Sequence, residues 1–318
     1  MHKIESKQRQ HFVSTIHPKL KRKEIWKHRE LYIFMLPALV ALLIFSYMPM
    51  YGVLMAFQDV KIGQAFTLGN WVGFKHFIRF FNSGWFDVTI KNTVFLSIAN
   101  NFLCWPIPII LALLMHNCIS TRIRKFSQTA TYLPYLLSIV VVVSILNVFC
   151  SGESGLINIL LRRLGMERID FFGEPKMVIP LYVISDLWTN MGYSAIIYLA
   201  ALSAVDGELI EAAMIDGAGK IKQIWHIQLP TIAPTVITML ILNMGRLFGI
   251  GADKMLLLQT DLNISASEII STYVYKTGFG GAQYGFSTAV GLFQNMVNVI
   301  LLLIVNYISR KSTDISIL

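Results

Sequence analysis

Four polar side chains recur along one otherwise apolar stretch of this 318-residue chain. Tyr182, Asp186, Asn190 and Tyr193 fall at i, i+4, i+8 and i+11, so a helix through 177–203 carries them close to one face. Trp188 lies off that stripe. Asn243 and Arg246 sit one turn apart in a second apolar run, Asn295 and Asn298 in a third, and Asn100 and Asn101 are adjacent in a fourth. Amides and carboxylates hydrogen-bond to hydroxyls, and aromatic rings cover apolar faces. The inventory suits non-covalent binding of a hydroxyl-bearing ligand. The competing reading is interhelical hydrogen bonding, which uses the same Asn and Tyr. Arg246 stands out, because a mid-span arginine costs about 2.5–3.5 kcal/mol on insertion scales. The sequence offers it Asp186 or Asp253 as a partner, or an acidic ligand.

A second constellation is polar and local. Residues 211–234 read EAAMIDGAGKIKQIWHIQLPTIAP. Asp206 and Gly207 precede a helix over 208–215, which Gly217 ends in the left-handed conformation. A second short helix over 219–228 carries Ile221, Ile224, Trp225 and Ile227. Pro230 then starts the next apolar span, where a missing N–H costs little. The product is a helix–turn–helix. Ala212 and Ala213 allow close approach of a partner, and Glu211 offers it a charge. The alternative is an amphipathic connector resting on a membrane surface.

The elements that must position these residues are membrane helices. Hydrophobic residues make up 55% of the chain and charged residues 14%, and mean hydropathy is +0.58. A soluble domain of this length needs more charge to cover its surface. Apolar windows fall at 31–52, 90–115, 128–150, 177–203, 231–257 and 284–308, each long enough for a span of roughly 20 residues. They lack the alternation of barrel strands. The expected fold is all-α: a bundle of six spans, kinked at Pro37, Pro49, Pro106, Pro108 and Pro134. It sits between a basic segment 1–30 and a tail 311–318. The first thirty residues do not read as a cleavable signal peptide. Segments 70–81 and 151–176 read as amphipathic surface helices, and Gly278, Gly280 and Gly281 as a flexible turn before the last span.

Lys and Arg set the orientation. Sixteen of the 27 lie in 1–30, 116–127, 204–230 and the end of the chain from Arg310, against eight in 58–89, 151–176 and 258–283. The bias places both termini and the loop 204–230 in the cytoplasm. The net charge of +9 follows from orientation and does not imply nucleic acid.

Motifs for covalent chemistry are missing. Gly217-Ala218-Gly219-Lys220 is the nearest string to a nucleotide-binding loop. Met214 replaces its first glycine, and Ile221 replaces the hydroxyl residue that would bind Mg. HExxH and GxSxG are absent, and Cys104, Cys118 and Cys150 form no CxxC pair. Neither catalytic nor metal-ligating residues are expected, and ATP, if used, must be bound by another chain.

Glu211-Ala212-Ala213, Gly217 and, after nine further residues, Ile227-x-Leu229-Pro230 resemble the EAA signature of ABC importer permeases. Asp216 extends this to the longer EAAxIDGA form found among sugar importers. Met48-Pro49-Met50-Tyr51-Gly52, Trp71-Val72-Gly73-Phe74-Lys75-His76-Phe77, Ser185-Asp186-Leu187-Trp188, Ser267-Glu268-Ile269-Ile270 and Thr288-Ala289-Val290-Gly291-Leu292-Phe293-Gln294 are similar to the branch for oligosaccharides and polysaccharide fragments. The resemblance covers residues 30–310. It implies a bacterial plasma-membrane subunit working with a second, different permease chain. Two ATPase subunits would bind ATP and Mg, and an extracytoplasmic binding protein would deliver the sugar. Glu211 and Gly217 become coupling residues, supported by Ala212, Ala213, Asp216, Ile227, Leu229 and Pro230. Peptide or amino-acid import fits the branch strings less well. A membrane enzyme acting on lipid-linked sugars predicts clustered acids or histidines that are not seen, and a channel without energy coupling leaves 211–234 unexplained.

Overall fold

The computed structural model describes residues 29–60, 63 and 69–313. Most of the basic segment and the last five residues of the tail lie outside that range. The chain divides into two compact units, Met1–Val53 and Leu54–Leu318. In the first, helix α1 (Arg29–Leu42) passes through Pro37 into a π turn at Leu43–Tyr47. A 3-10 segment, Met48–Phe57, extends across the unit boundary.

The second unit opens with a two-residue ribbon, β1 (Gln58–Asp59) against β2 (Asn70–Trp71), antiparallel with Gln58 opposite Trp71. The helix expected over 70–81 therefore starts late, as α2 (Lys75–Phe81). Gly73, at φ +58°, turns the chain between strand and helix. Helix α3 (Trp85–Cys104) runs into α4 (Pro106–His116), the two meeting at Trp105 and Pro106. Helices α5 (Thr121–Tyr132) and α6 (Ile139–Cys150) follow. The window 128–150, expected as one span, is instead bent by 103° between Leu136 and Ile139. Pro134 sits in a 3-10 turn there, and the Ser138 hydroxyl restarts the helix by accepting from the Val141 N–H. Short α7 (Leu156–Arg163) fills part of 151–176.

Helix α8 (Val178–Leu202) is the hub. Val178, Tyr182 and Val183 pack with Leu96, Val143, Met255 and Leu258. Further along, Ala195, Tyr198 and Leu202 pack with Ile109, Ala112, Leu113 and Ile232. Gly192 lies so close to the Thr131 carbonyl that a Cβ there would overlap it, so α5 and α8 touch backbone to backbone.

The loop helix α9 (Gly207–Ile215) leads to α10 (Lys220–Gln223), a π turn at Ile224–Gln228, and α11 (Leu229–Met244). These last three form one unbroken 25-residue helix, Lys220–Met244. Pro230 therefore lies inside a helix that began ten residues earlier and does not open a separate span. The wider π register relieves the clash between a proline ring and the carbonyl four residues back.

The fifth window, 231–257, is also not continuous. Helix ends at Met244, and residues 245–251 are irregular before α12 (Ala252–Leu258). Gly245, Gly249 and Gly251 weaken the helix there. Side chains from neighbouring helices satisfy the freed backbone, as a membrane interior requires. The Ser97 hydroxyl donates to the Leu247 carbonyl at 2.6 Å, the Phe248 N–H donates to Asn298 Oδ1 at 2.8 Å, and Gln294 Nε2 donates to the Phe248 carbonyl.

After α13 (Ile264–Ser267) and α14 (Ile270–Tyr275), a π turn at Lys276–Gly280 buries Gly278 before α15 (Tyr284–Thr313). The buried Glu268 carboxylate holds this end, meeting Lys276 at 2.6 Å and accepting from Thr272 and Gln259. Among the described residues, four helices are long and apolar enough to cross a bilayer, or five if the bent pair is one span. Helix α8 is of spanning length, but its polar stripe lowers its hydropathy, so six spans are not reached on composition alone.

Candidate functional site

The stripe on α8 opens onto a cavity of about 170 Å³, lined by Asp186 and Asn190 with Asn100, Asn101, Trp105 and Asn243. Five of the residues read as a pathway therefore converge from three helices. A second cavity of about 140 Å³ shares Asp186 and Asn190 and adds Tyr135, Thr189 and Lys254. Each falls below the roughly 300 Å³ at which small-ligand pockets begin, so neither encloses an oligosaccharide.

Asp186 joins the two. Its carboxylate accepts from Asn100 Nδ2 at 3.3 Å and Asn190 Nδ2 at 3.1 Å, and lies 3.5 Å from Lys254 Nζ. Lys254 also donates to the Tyr182 carbonyl at 3.0 Å and sits 4.4 Å over the Tyr182 ring. Its side chain is only 4% exposed against 22% for Asp186. Buried charges are retained when paired and hydrogen-bonded, and both partners here meet that condition.

The polar loop is a separate site. The Asp206 carboxylate caps α9 by accepting from the Glu208 N–H at 2.9 Å. At the far end the Gly217 N–H reaches the Met214 carbonyl and the Ala218 N–H the Ala213 carbonyl. With Gly217 at φ +75°, this is a Schellman turn, the ending that the position of Gly217 predicts. Glu211, Ala212 and Asp216 are exposed and Ala213 half-buried; Pro230 is exposed, while Ile227 and Leu229 turn partly inward. Leu209, Met214, Ile215, Ile221 and Trp225 are exposed, with Ile215 at 87%. These apolar side chains lie beside the acidic Glu211 and Asp216 on the same loop.

Residues 105–314 match the family described as the binding-protein-dependent transport system inner membrane component. The chain belongs to this family. It is a transporter subunit, a multi-pass membrane permease, and not an enzyme. It is 39% identical over 302 residues to the polygalacturonan/rhamnogalacturonan transport system permease protein YteP of Bacillus subtilis (strain 168), covering 94% of each chain. Its fold matches a crystal structure of a bacterial ABC transporter that imports the acidic polysaccharide alginate (TM-score 0.84, 36% identity, 92% of this chain and 98% of that one). A second structure of a bacterial alginate ABC transporter, in complex with an alginate pentasaccharide-bound periplasmic protein, matches at TM-score 0.85 and 35% identity, over 93% and 99% of the two chains.

Within this permease, not every residue of the expected pathway reaches the cavities. Tyr182 is buried beneath Lys254. Tyr193 stacks on Tyr135 with ring centroids 3.9 Å apart. Asn295 is exposed on α15, and Asn298 is committed to the Phe248 N–H. Arg246 lies past the end of α11 with its side chain exposed, and Asp186 pairs with Lys254 in its place. Sequence reasoning passed over Lys254 because it sits in the window read as one straight span; a lone cation among Ala252–Leu258 was the available signal. It also passed over Asn117 and Gln228, whose amides pair across 111 residues, where no local spacing relates them.

Proposed function

We propose that this permease is one of two unlike membrane subunits of an ATP-driven importer for oligosaccharides or polysaccharide fragments, with uronate-containing chains as the first class to test. The observation that carries the reading is the capped loop at 206–219. It presents Glu211 and a rim of exposed apolar side chains, and it is continuous through Lys220–Met244 with the packed bundle. Such a surface suits docking to a soluble ATPase that binds ATP and Mg. The loop and both termini then face the cytoplasm, and a binding protein delivers sugar on the opposite side. Alternating access biases two states of the bundle through nucleotide-driven closure of the ATPase pair. The seam of Asn100, Asn101, Asp186, Asn190 and Asn243 supplies amides and a carboxylate to sugar hydroxyls as the bundle opens. Arg246 and Asn295, both exposed, extend the candidate pathway. The YteP and alginate relatives support the substrate class by their names alone.

The test is co-purification from the native membrane followed by uptake in proteoliposomes. An ATPase and a second permease are expected to co-elute, and oligogalacturonide uptake is expected to need ATP. Uptake of a peptide but of no sugar would overturn the substrate class, and purification without an ATPase would overturn the coupling reading.

A further inference from the structure

The interface among α4, α8 and the helix Lys220–Met244 is mostly apolar, built on Ala112, Leu113, Ala195, Leu202 and Ile232. Apolar contact is non-directional; it holds helices together without fixing their axial register. Asn117 and Gln228 add a directional contact. Gln228, 1% exposed, faces Asn117, the residue that ends α4. Asn117 Nδ2 donates to Gln228 Oε1 at 2.8 Å, and Gln228 Nε2 donates back to Asn117 Oδ1 at 3.0 Å. Asn117 Nδ2 also donates to the Leu113 carbonyl at 2.9 Å, which locks the amide to its own helix.

The π turn makes this meeting possible. Gln223, Gln228 and Ile232 are all buried at spacings of five and then four. An i→i−5 turn followed by an α turn brings residues at those spacings onto one face. Hydrogen bonds weaken quickly beyond about 3.2 Å, so axial slip of about an ångström breaks both arms of the pair. Helix α4 leads back through Pro106 and Trp105 to Asn101 and Asn100 at the cavity.

We propose that the reciprocal Asn117–Gln228 amide pair is a register pin that makes α4 follow the coupling helix, so that both are positioning residues for ATP-driven transport. The inference rests on the reading of 206–219 as an ATPase-docking loop. The test uses the full complex in proteoliposomes. Cys104 borders the cavity, and its modification by N-ethylmaleimide is followed by mass spectrometry with and without ATP plus vanadate. In the parent complex, nucleotide is expected to change the Cys104 rate several-fold. The double variant Asn117→Leu/Gln228→Leu leaves neither amide unpaired. It is expected to hydrolyse ATP within about twofold of the parent while losing the nucleotide response. The swap Asn117→Gln/Gln228→Asn keeps a reciprocal pair and is expected to restore the response. A double variant that responds like the parent overturns the pin alone, as does an intact swapped complex that stays unresponsive. A parent complex without any nucleotide response overturns the docking reading and the pin with it.

Discussion

Lys254→Met tests the charge pair between α12 and α8. Unit charges about 4 Å apart attract by about 4 kcal/mol at an effective dielectric near 20, and this pair is at 3.5 Å. Removing one member of a buried pair generally costs about 3–5 kcal/mol, because the other stays behind uncompensated. Asp186 keeps the amides of Asn100 and Asn190 and is partly exposed, which places the loss near the lower end, at about 3 kcal/mol. Asp186→Leu alone strands Lys254 against the Tyr182 ring and carbonyl and is expected to cost a similar amount. The double variant removes both charges and is expected to lose only about 1–2 kcal/mol, for a coupling energy of several kcal/mol. Reversible unfolding in mixed micelles, titrated with a denaturing detergent, measures all four corners of the cycle. A double variant whose loss equals the sum of the singles to within about 0.5 kcal/mol would refute the claim that these groups stabilise each other.

Other substitutions probe the loop and the helix contacts. Gly217→Ala meets no atom within 4 Å of its new Cβ, so its cost of about 1–2 kcal/mol is the left-handed backbone alone, and Gly217→Asn should cost less by thermal unfolding. Gly192→Ala drives a methyl into the Thr131 carbonyl; the expected outcome is loss of monodisperse protein on size exclusion, and normal behaviour would mean that α5 and α8 can separate freely. Glu211→Ala is predicted to keep the complex assembled and to lose uptake, so retained ATP-dependent uptake would remove Glu211 from the coupling. Arg246→Ala, at an exposed position, is expected to change stability by less than about 0.5 kcal/mol and to lower uptake. Undiminished transport would take Arg246 out of the pathway.

The first helix of the loop and its ending were legible in the sequence because everything that shapes them is local. A capping Asp206, a glycine at the left-handed position and the spacing between them suffice. The stripe on α8 was legible for the same reason, since i, i+4 spacing is a property of one helix. What escaped traces largely to one event, the end of helix at Met244. Three glycines follow within seven residues, yet the apolar residues on both sides of the break read as one window, 231–257. Once the helix stops, Arg246 leaves the span and Lys254 arrives on a separate short helix against Asp186. Asn298 is also drawn from any pathway to the freed Phe248 N–H. Each of these depends on where the chain goes after the break, over separations of 50 and 68 residues. The π turn was hidden differently: a 3.6-residue period assumes its own absence, so Gln228 could not be assigned a face.

That turn has a geometric consequence. An α-helix rotates by about 100° per residue, and a π turn holds one residue more than the α register needs. The direction in which Ile221 and Trp225 face, relative to the membrane-buried side of α11, is thus set by how the chain winds between Ile224 and Gln228. The azimuth of the proposed docking surface is encoded as phase. The turn absorbs its extra residue without changing that phase: deleting one residue there would leave a plain α turn with both ends facing as they do, whereas the same deletion within α11 would swing the residues on either side about a quarter turn apart.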